Sequence, residues 1–62
     1  MIRELREKKG WTQTELAKRA GIHQGVLSYI ENGRTKHPRI DTLSAIAGAL
    51  GVTVEKLLKK AG

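Results

Sequence analysis

The 62-residue chain lacks cysteine and phenylalanine, and it contains only one proline, one tryptophan and one tyrosine. The absence of cysteine excludes a disulfide framework and a thiolate metal site as sources of stability. No apolar run approaches the roughly 20 residues of a membrane-spanning helix, and no signal peptide opens the chain. We therefore expect a soluble, cytoplasmic protein without a metal, a cofactor or a small-molecule ligand.

Acidic residues are also scarce. Twelve Lys and Arg residues stand against six Asp and Glu residues, which gives a formal net charge of +6 at pH 7. A positive charge of this size on a small domain favours polyanionic partners. Nucleic acid is the first candidate partner, and a membrane surface is the weaker alternative.

Apolar residues recur at helical spacing through most of the chain, and no stretch shows the alternation of a β-strand. Capping residues and glycines delimit five predicted helices, at residues 1–9, 13–20, 24–32, 40–50 and 54–60. Nothing is left over for a linker or a second domain. We therefore predict that residues 1–62 form one all-α domain, a compact five-helix bundle. The residues predicted to face inward in the last two helices are Ile40, Leu43, Ile46, Ala47, Leu50, Leu57 and Leu58.

The segment between the first two helices carries a start signal and the only tryptophan. Thr12 and Glu15 match a capping box, in which the Thr12 side chain caps the helix and Glu15 reaches back to it. Trp11 is most simply interpreted as a plug that closes the core. Stacking of its ring on a nucleotide is the alternative.

The stretch from Gln13 to Gly33 predicts two short helices joined by a tight turn. Ala17 provides a small side chain where the helices cross, Gly21 accepts a positive φ in the turn, and Leu27 points back into the first helix. This pattern is typical of a helix-turn-helix, whose second helix lies in the DNA major groove. The remaining positions predicted to face inward are Leu16, Ala20, Ile22 and Ile30.

The outward face of the predicted third helix carries polar side chains without formal charge, which suits hydrogen bonding to base edges. The predicted base-contacting residues are Gln24, Gly25, Val26, Ser28 and Tyr29. Gln24 can pair bidentately with adenine, Ser28 can donate or accept, and Val26 or Tyr29 can contact a thymine methyl group. Gly25 has no side chain, so discrimination at that step would come from water or from DNA shape.

A second set of residues is expected to hold the DNA backbone. The predicted phosphate contacts are Gln13, at the start of the second helix, and Asn32, Arg34, Lys36 and Arg39, which flank the third helix. Asn32 is equally well interpreted as a residue that only ends its helix.

Glu31 falls on the inward side of the third helix, where a carboxylate needs a partner. Arg6, one turn beyond Ile2 and Leu5 of the first helix, is the candidate. We predict a partly buried ion pair between Arg6 and Glu31 that holds the first helix against the end of the third.

Three segments together, WTQTELAKRAGI, SYIENGRTKHPR and ALGVTVEKLL, resemble the phage repressor/Cro-type helix-turn-helix family, also called the xenobiotic-response-element-like (XRE) family. The resemblance covers essentially the whole chain. It implies a lambda-repressor-like domain that binds double-stranded DNA as a homodimer on an inverted repeat and represses transcription.

The resemblance also assigns roles to residues. It implies phosphate contacts for Gln13, Arg34, Lys36 and Arg39, base-facing positions for Gln24, Gly25 and Tyr29, and the bridge between Arg6 and Glu31. The chain departs from many members at Gly25 and Tyr29, where those members have polar side chains. Base preference therefore cannot be transferred from the family.

Two other functions are disfavoured by the sequence. His23 and His37 lie 14 residues apart, and no spacing supports a catalytic triad or a phosphate-binding loop, so we predict no enzymatic activity. RNA binding is disfavoured because Tyr29 is the only aromatic residue available on the third helix for stacking on bases.

A protein-interaction module, such as an antitoxin-like domain, is the stronger alternative. Such a module would need an exposed apolar patch, and Val54, Leu57 and Leu58 are the candidates. The same residues could equally form the homodimer contact that the family uses.

Overall fold

The computed structural model describes the backbone of residues 2–34 and 38–61 and the side chains of residues 2–34 and 38–57. Within these ranges the chain forms five α-helices and no strand, so the predicted all-α fold is confirmed. The helices are α1 (Ile2–Lys8), α2 (Gln13–Ala20), α3 (Gln24–Glu31), α4 (Ile40–Leu50) and α5 (Val54–Ala61). None of them is long and apolar enough to cross a membrane.

Local signals explain where α2 begins and ends. The Glu15 main-chain N–H donates to Thr12 Oγ1 at 3.1 Å, which caps the helix. The expected return contact is not formed, because the Glu15 carboxylate pairs with Arg19 one turn later, at 2.6 Å. Gly21 ends the helix with a φ of +71°, and the Ile22 N–H donates back to the Ala17 carbonyl. The tight turn between α2 and α3 follows from this glycine.

The core lies between α2, α3 and α4, and α2 packs against both of the others. Leu16, Leu27 and Ile46 are fully buried at its centre. Residues around its edge, including Trp11 and Ile30, are half-buried against this cluster. The other buried apolar residues are Ala17, Leu43, Ala47, Leu50 and Leu57.

The structure corrects one predicted inward position. Ile40 is 58% exposed, although it shares the helical spacing of the buried residues Leu43 and Ala47. Ile40 is the first residue of α4, and helical side chains tilt toward the N-terminus, so its side chain projects beyond the start of the helix. Leu57 is buried as expected, whereas the side chain of Leu58 lies outside the described residues.

Candidate nucleic-acid interface

The outward face of α3 is exposed on the side opposite its buried residue, Leu27. We use the term base-contacting face for the surface formed by the residues that were predicted to contact bases, Gln24, Gly25, Val26, Ser28 and Tyr29. Val26 and Tyr29 are 42% and 56% exposed, while Ser28 is half-buried. The predicted residues thus share one accessible surface, and none of them carries a charged side chain at neutral pH.

Gly25 is not required by the fold. A Cβ atom built at this position would meet nothing within 4 Å, and the backbone there does not have a positive φ. A glycine within a helix costs roughly 0.5–1 kcal/mol relative to alanine. The structure therefore offers no internal reason for this residue, in contrast to Gly21.

Gln24, the first residue of α3, is oriented by a residue of α2. Thr14 Oγ1 donates a hydrogen bond to Gln24 Oε1 across 3.0 Å. The carbonyl oxygen of Gln24 keeps a second lone pair, and both hydrogens of its Nε2 remain available for a ligand. A bidentate contact with adenine therefore stays chemically open to this side chain.

Asn32 is the cap residue that follows the last residue of α3, and its side chain joins the base-contacting face to α1. Its Nδ2 donates to Ser28 Oγ at 3.3 Å, and its Oδ1 accepts from Arg3 Nη2 at 3.0 Å. The amide that was predicted to contact phosphate is thus engaged within the protein.

The structure brings Arg6 and Glu31 together in a two-pronged ion pair. Arg6 Nε lies 2.9 Å from Glu31 Oε2, and Arg6 Nη2 lies 3.1 Å from Oε1. Arg3 Nε and Gln13 Nε2 also donate to Oε1, at 3.4 and 3.1 Å. Arg6 further donates to the main-chain carbonyl of Trp11 at 2.8 Å. The Glu31 side chain has no exposed surface, so these donors replace water around its charge.

The ionisation of Glu31 reflects opposing influences. Burial raises the pKa of its carboxyl group, but the hydrogen bonds from Arg6, Gln13 and Arg3 and the charge of Arg6 lower it. The result is a pKa below the ordinary value of 4.5. In Arg6, the hydrogen bond with Glu31 raises the pKa of the guanidinium group, so both partners are charged at neutral pH.

The other predicted phosphate contacts are more exposed. Arg34 lies at the surface, with its guanidinium carbon 6.0 Å from the centre of the Tyr29 ring. Arg39 is paired with Asp41 at 3.0 Å, and both side chains are largely exposed. Lys36 lies outside the described residues.

The surroundings of Trp11 agree with the core interpretation. The ring is half-buried against the apolar cluster. The charged groups of Arg19 and Lys9 lie 4.3 and 5.3 Å from its centre. The Trp11 ring thus makes cation–π contacts with side chains of the protein itself.

Two residues of this site were missed by the sequence analysis, Thr14 and Arg3. Thr14 contacts Gln24 directly, whereas Arg3 contacts Asn32, which in turn contacts Ser28. No signal in the sequence singles them out, because many side chains of α1 and α2 have the same chemistry and spacing.

The fold and this exposed face define a helix-turn-helix domain. The chain belongs to the helix-turn-helix family, whose model matches residues 2–57, and the resemblance to its phage repressor/Cro-type (XRE-like) members is confirmed. It is similar to the HTH-type transcriptional regulator SinR of Bacillus subtilis, with 37% identity over 57 residues, which are 92% of this chain and 51% of that protein.

Two further comparisons agree with this assignment. The chain is 37% identical to the immunity repressor protein of Bacillus phage phi105 over 57 residues, 92% of this chain and 39% of that protein. A crystal structure of SinR, described as the master regulator for biofilm formation, in complex with DNA matches with a TM-score of 0.87. That match has 37% identity and covers 92% of this chain and 90% of the SinR chain. The chain spans about half, or less, of the length of these curated relatives.

Replacement of Glu31 by alanine should destabilise the protein by about 3–5 kcal/mol, because Arg6 would be left buried without its partner. A domain this small has little more stability than that, so the variant should be largely unfolded at 25 °C. Urea denaturation followed by far-UV circular dichroism measures the change. Glu15→Ala is the matched control, since it breaks an exposed ion pair with Arg19 and should cost less than about 1 kcal/mol. Equal losses in the two variants would contradict the structural role of Glu31.

The stability that Glu31 provides should depend on pH. Because its pKa is lower in the folded protein than in the unfolded chain, this stability is complete above the ordinary value of 4.5. It is lost as the pH falls through the folded-state pKa, where the carboxylate becomes protonated. Glu31→Gln has no such proton to bind. The stability difference between the wild type and this variant should therefore shrink as the pH falls below the ordinary value of 4.5 and through the folded-state pKa. A difference that stays constant over this range would contradict the assignment.

Proposed function

We propose that the chain is a sequence-specific, double-stranded-DNA-binding domain of a transcriptional regulator and that it acts as a repressor. The observation that carries this proposal is the base-contacting face, an exposed polar surface without charge on a chain of net charge +6. α3 would enter the major groove with this face toward the bases. The match to SinR solved with DNA supports the same geometry.

Base discrimination is assigned to the side chains of the base-contacting face. Gln24 would pair with adenine while Thr14 holds its amide in place, and Ser28 would contact the adjacent base edge. Val26 and Tyr29, which are both exposed, would contact thymine methyl groups. At Gly25 the backbone of α3 would approach the DNA closely, which gives this glycine a reason that lies outside the fold.

Phosphate binding is assigned to Arg34, Lys36 and Arg39 and to the start of α2. The exposed pair of Arg39 with Asp41 is weak, so Arg39 can exchange that partner for a phosphate. Gln13 would act through its main-chain N–H, one of the donors at the start of α2 that lack a partner inside the helix. Its side-chain amide already donates to Glu31. Asn32 would contribute to the interface through Ser28 rather than by a phosphate contact of its own.

The proposal includes a homodimer bound to an inverted repeat, with the two α3 helices about 34 Å apart in successive major grooves. Repression would be steric. We propose binding without catalysis, as is typical of the DNA-binding transcriptional regulators that this chain resembles. We propose a cytoplasmic location, where such a regulator would meet DNA in a cell without a nucleus.

Selection of bound duplexes from a random DNA pool, at physiological salt and with excess nonspecific competitor, tests this function. We expect enrichment of an inverted repeat with half-sites about one helical turn apart. Salt-sensitive binding to the whole pool, without enrichment of any sequence, would contradict base recognition. In that case the antitoxin-like or other protein-interaction module becomes the leading function.

Replacement of Gln24 by alanine should relax base preference at one position in each half-site, by a discrimination energy of about 1–3 kcal/mol. Arg39→Ala is the matched control, because loss of a phosphate contact weakens binding to all sequences alike. It should also reduce the slope of log affinity against log salt by about one. Competition binding with single-base variants of the selected duplex distinguishes the two patterns. A sequence-selective loss in Arg39→Ala, or unchanged preference in Gln24→Ala, would refute the assignments.

Replacement of Gly25 by alanine should have opposite effects on stability and on binding. The new methyl group has open space, so the free protein should gain about 0.5–1 kcal/mol in unfolding free energy. The same methyl group should weaken binding to the selected duplex, because it would separate α3 from the DNA. Thermal denaturation and titration with DNA measure the two effects. Unchanged affinity in the stabilised variant would show that α3 does not approach DNA closely at Gly25.

A further inference from the structure

The Ser28 hydroxyl stands at the end of a hydrogen-bonded chain that begins in α1. Arg3 Nη2 donates to Asn32 Oδ1 at 3.0 Å, and Asn32 Nδ2 donates to Ser28 Oγ at 3.3 Å. Arg3 is itself anchored, since its Nε lies 3.4 Å from the buried carboxylate of Glu31. A residue of the base-contacting face is thus connected to a helix that contributes no predicted DNA contact.

The chemistry of these groups determines which one donates and which one accepts in each hydrogen bond between Arg3, Asn32 and Ser28. A guanidinium group has donors and no acceptor, so Arg3 can bond only to the carbonyl oxygen of Asn32. That contact fixes the orientation of the amide and turns its NH2 group toward Ser28. The amide nitrogen cannot accept, so Ser28 Oγ accepts with one of its two lone pairs, and its own proton is left over for a ligand. Within residues 2–34 and 38–57, no protein acceptor is hydrogen-bonded to this proton.

We propose that Arg3 and Asn32 are positioning residues that present Ser28 to DNA as a hydrogen-bond donor. This inference rests on the proposed function. The free proton of Ser28 favours a base edge that carries an acceptor in the major groove, which guanine, adenine N7 and thymine O4 provide. Cytosine presents only its N4 donor there, so it cannot bind this proton.

The substitution Asn32→Asp should reverse this preference. An aspartate keeps the shape of the side chain and its contact with Arg3, but both of its carboxylate oxygens only accept. The Ser28 proton would then point to the aspartate, and the lone pairs of Ser28 would face the DNA. Preference at that base should move toward bases with a major-groove donor, adenine or cytosine.

The experiment is the same duplex selection, carried out with the wild type, Asn32→Asp, Ser28→Ala and the double variant. We expect preference at one base in each half-site to shift by about five-fold in Asn32→Asp, the size of effect that one hydrogen bond gives. The added negative charge should weaken binding to all duplexes alike and leave the other positions unchanged. In the Ser28→Ala background, Asn32→Asp should no longer change base preference, because the coupling acts through Ser28.

A second variant guards against a fold defect in Asn32→Asp. Arg3→Met removes the donor that orients Asn32 and should flatten the preference at the same base. Lys8→Met removes the same charge from an exposed position at the other end of α1, and it should lower affinity without changing preference. In the free protein, NMR should show shifts of the Asn32 side-chain amide signals in both Arg3→Met and Ser28→Ala.

The outcomes separate the two proposals. Wild-type enrichment that neither Asn32→Asp nor Arg3→Met alters at any position overturns this inference and leaves the proposed function in place. The same holds if the Asn32 amide signals do not respond to either substitution. If the wild type enriches no sequence, the proposed function fails and this inference fails with it.

Discussion

The buried charge of Glu31 is the interaction on which the rest of the structure depends. Four donor nitrogens surround its carboxylate, contributed by Arg3 and Arg6 of α1 and by Gln13 of α2. A charge without exposed surface is tolerated only while such donors stay in place. The ion pair therefore adds little net stability in itself, but it specifies how the three helices are arranged. It fixes the end of α3 against α1 and the start of α2, where an apolar contact would allow several arrangements.

The same donors connect stability to recognition. Gln13 lies at the helix start that would meet a phosphate, and Arg3 connects the Glu31 carboxylate to the amide that contacts Ser28. The Arg3 side chain thus contacts both the buried carboxylate of Glu31 and the exposed residue Asn32. Under the proposed function, substitutions in α1 would consequently change DNA recognition without any direct contact with DNA. Effects at these positions should not be additive, because they share partners.

Helical periodicity predicted which side of each helix is buried, and this was enough to place Leu27 inward and to pair Glu31 with Arg6. It did not predict which residues at the end of a helix lie outside the core, and for this reason Ile40 was wrongly placed inward. The partners of Thr14 and Asn32 were equally beyond the sequence. A short polar side chain has many possible partners, and the crossing of the helices in three dimensions decides among them.

The open space at Gly25 has a consequence for how this domain can change over time. Most positions that face a ligand are constrained by their neighbours, so a new side chain there disturbs the fold. At Gly25 no atom lies within 4 Å of an added Cβ, so a small side chain would extend the surface of α3 without disturbing the core. Under the proposed function, a single codon change here would alter the contact with the present target and leave the fold intact. Duplicated copies of the gene could diverge in specificity at this position before any other part of the domain had to adapt.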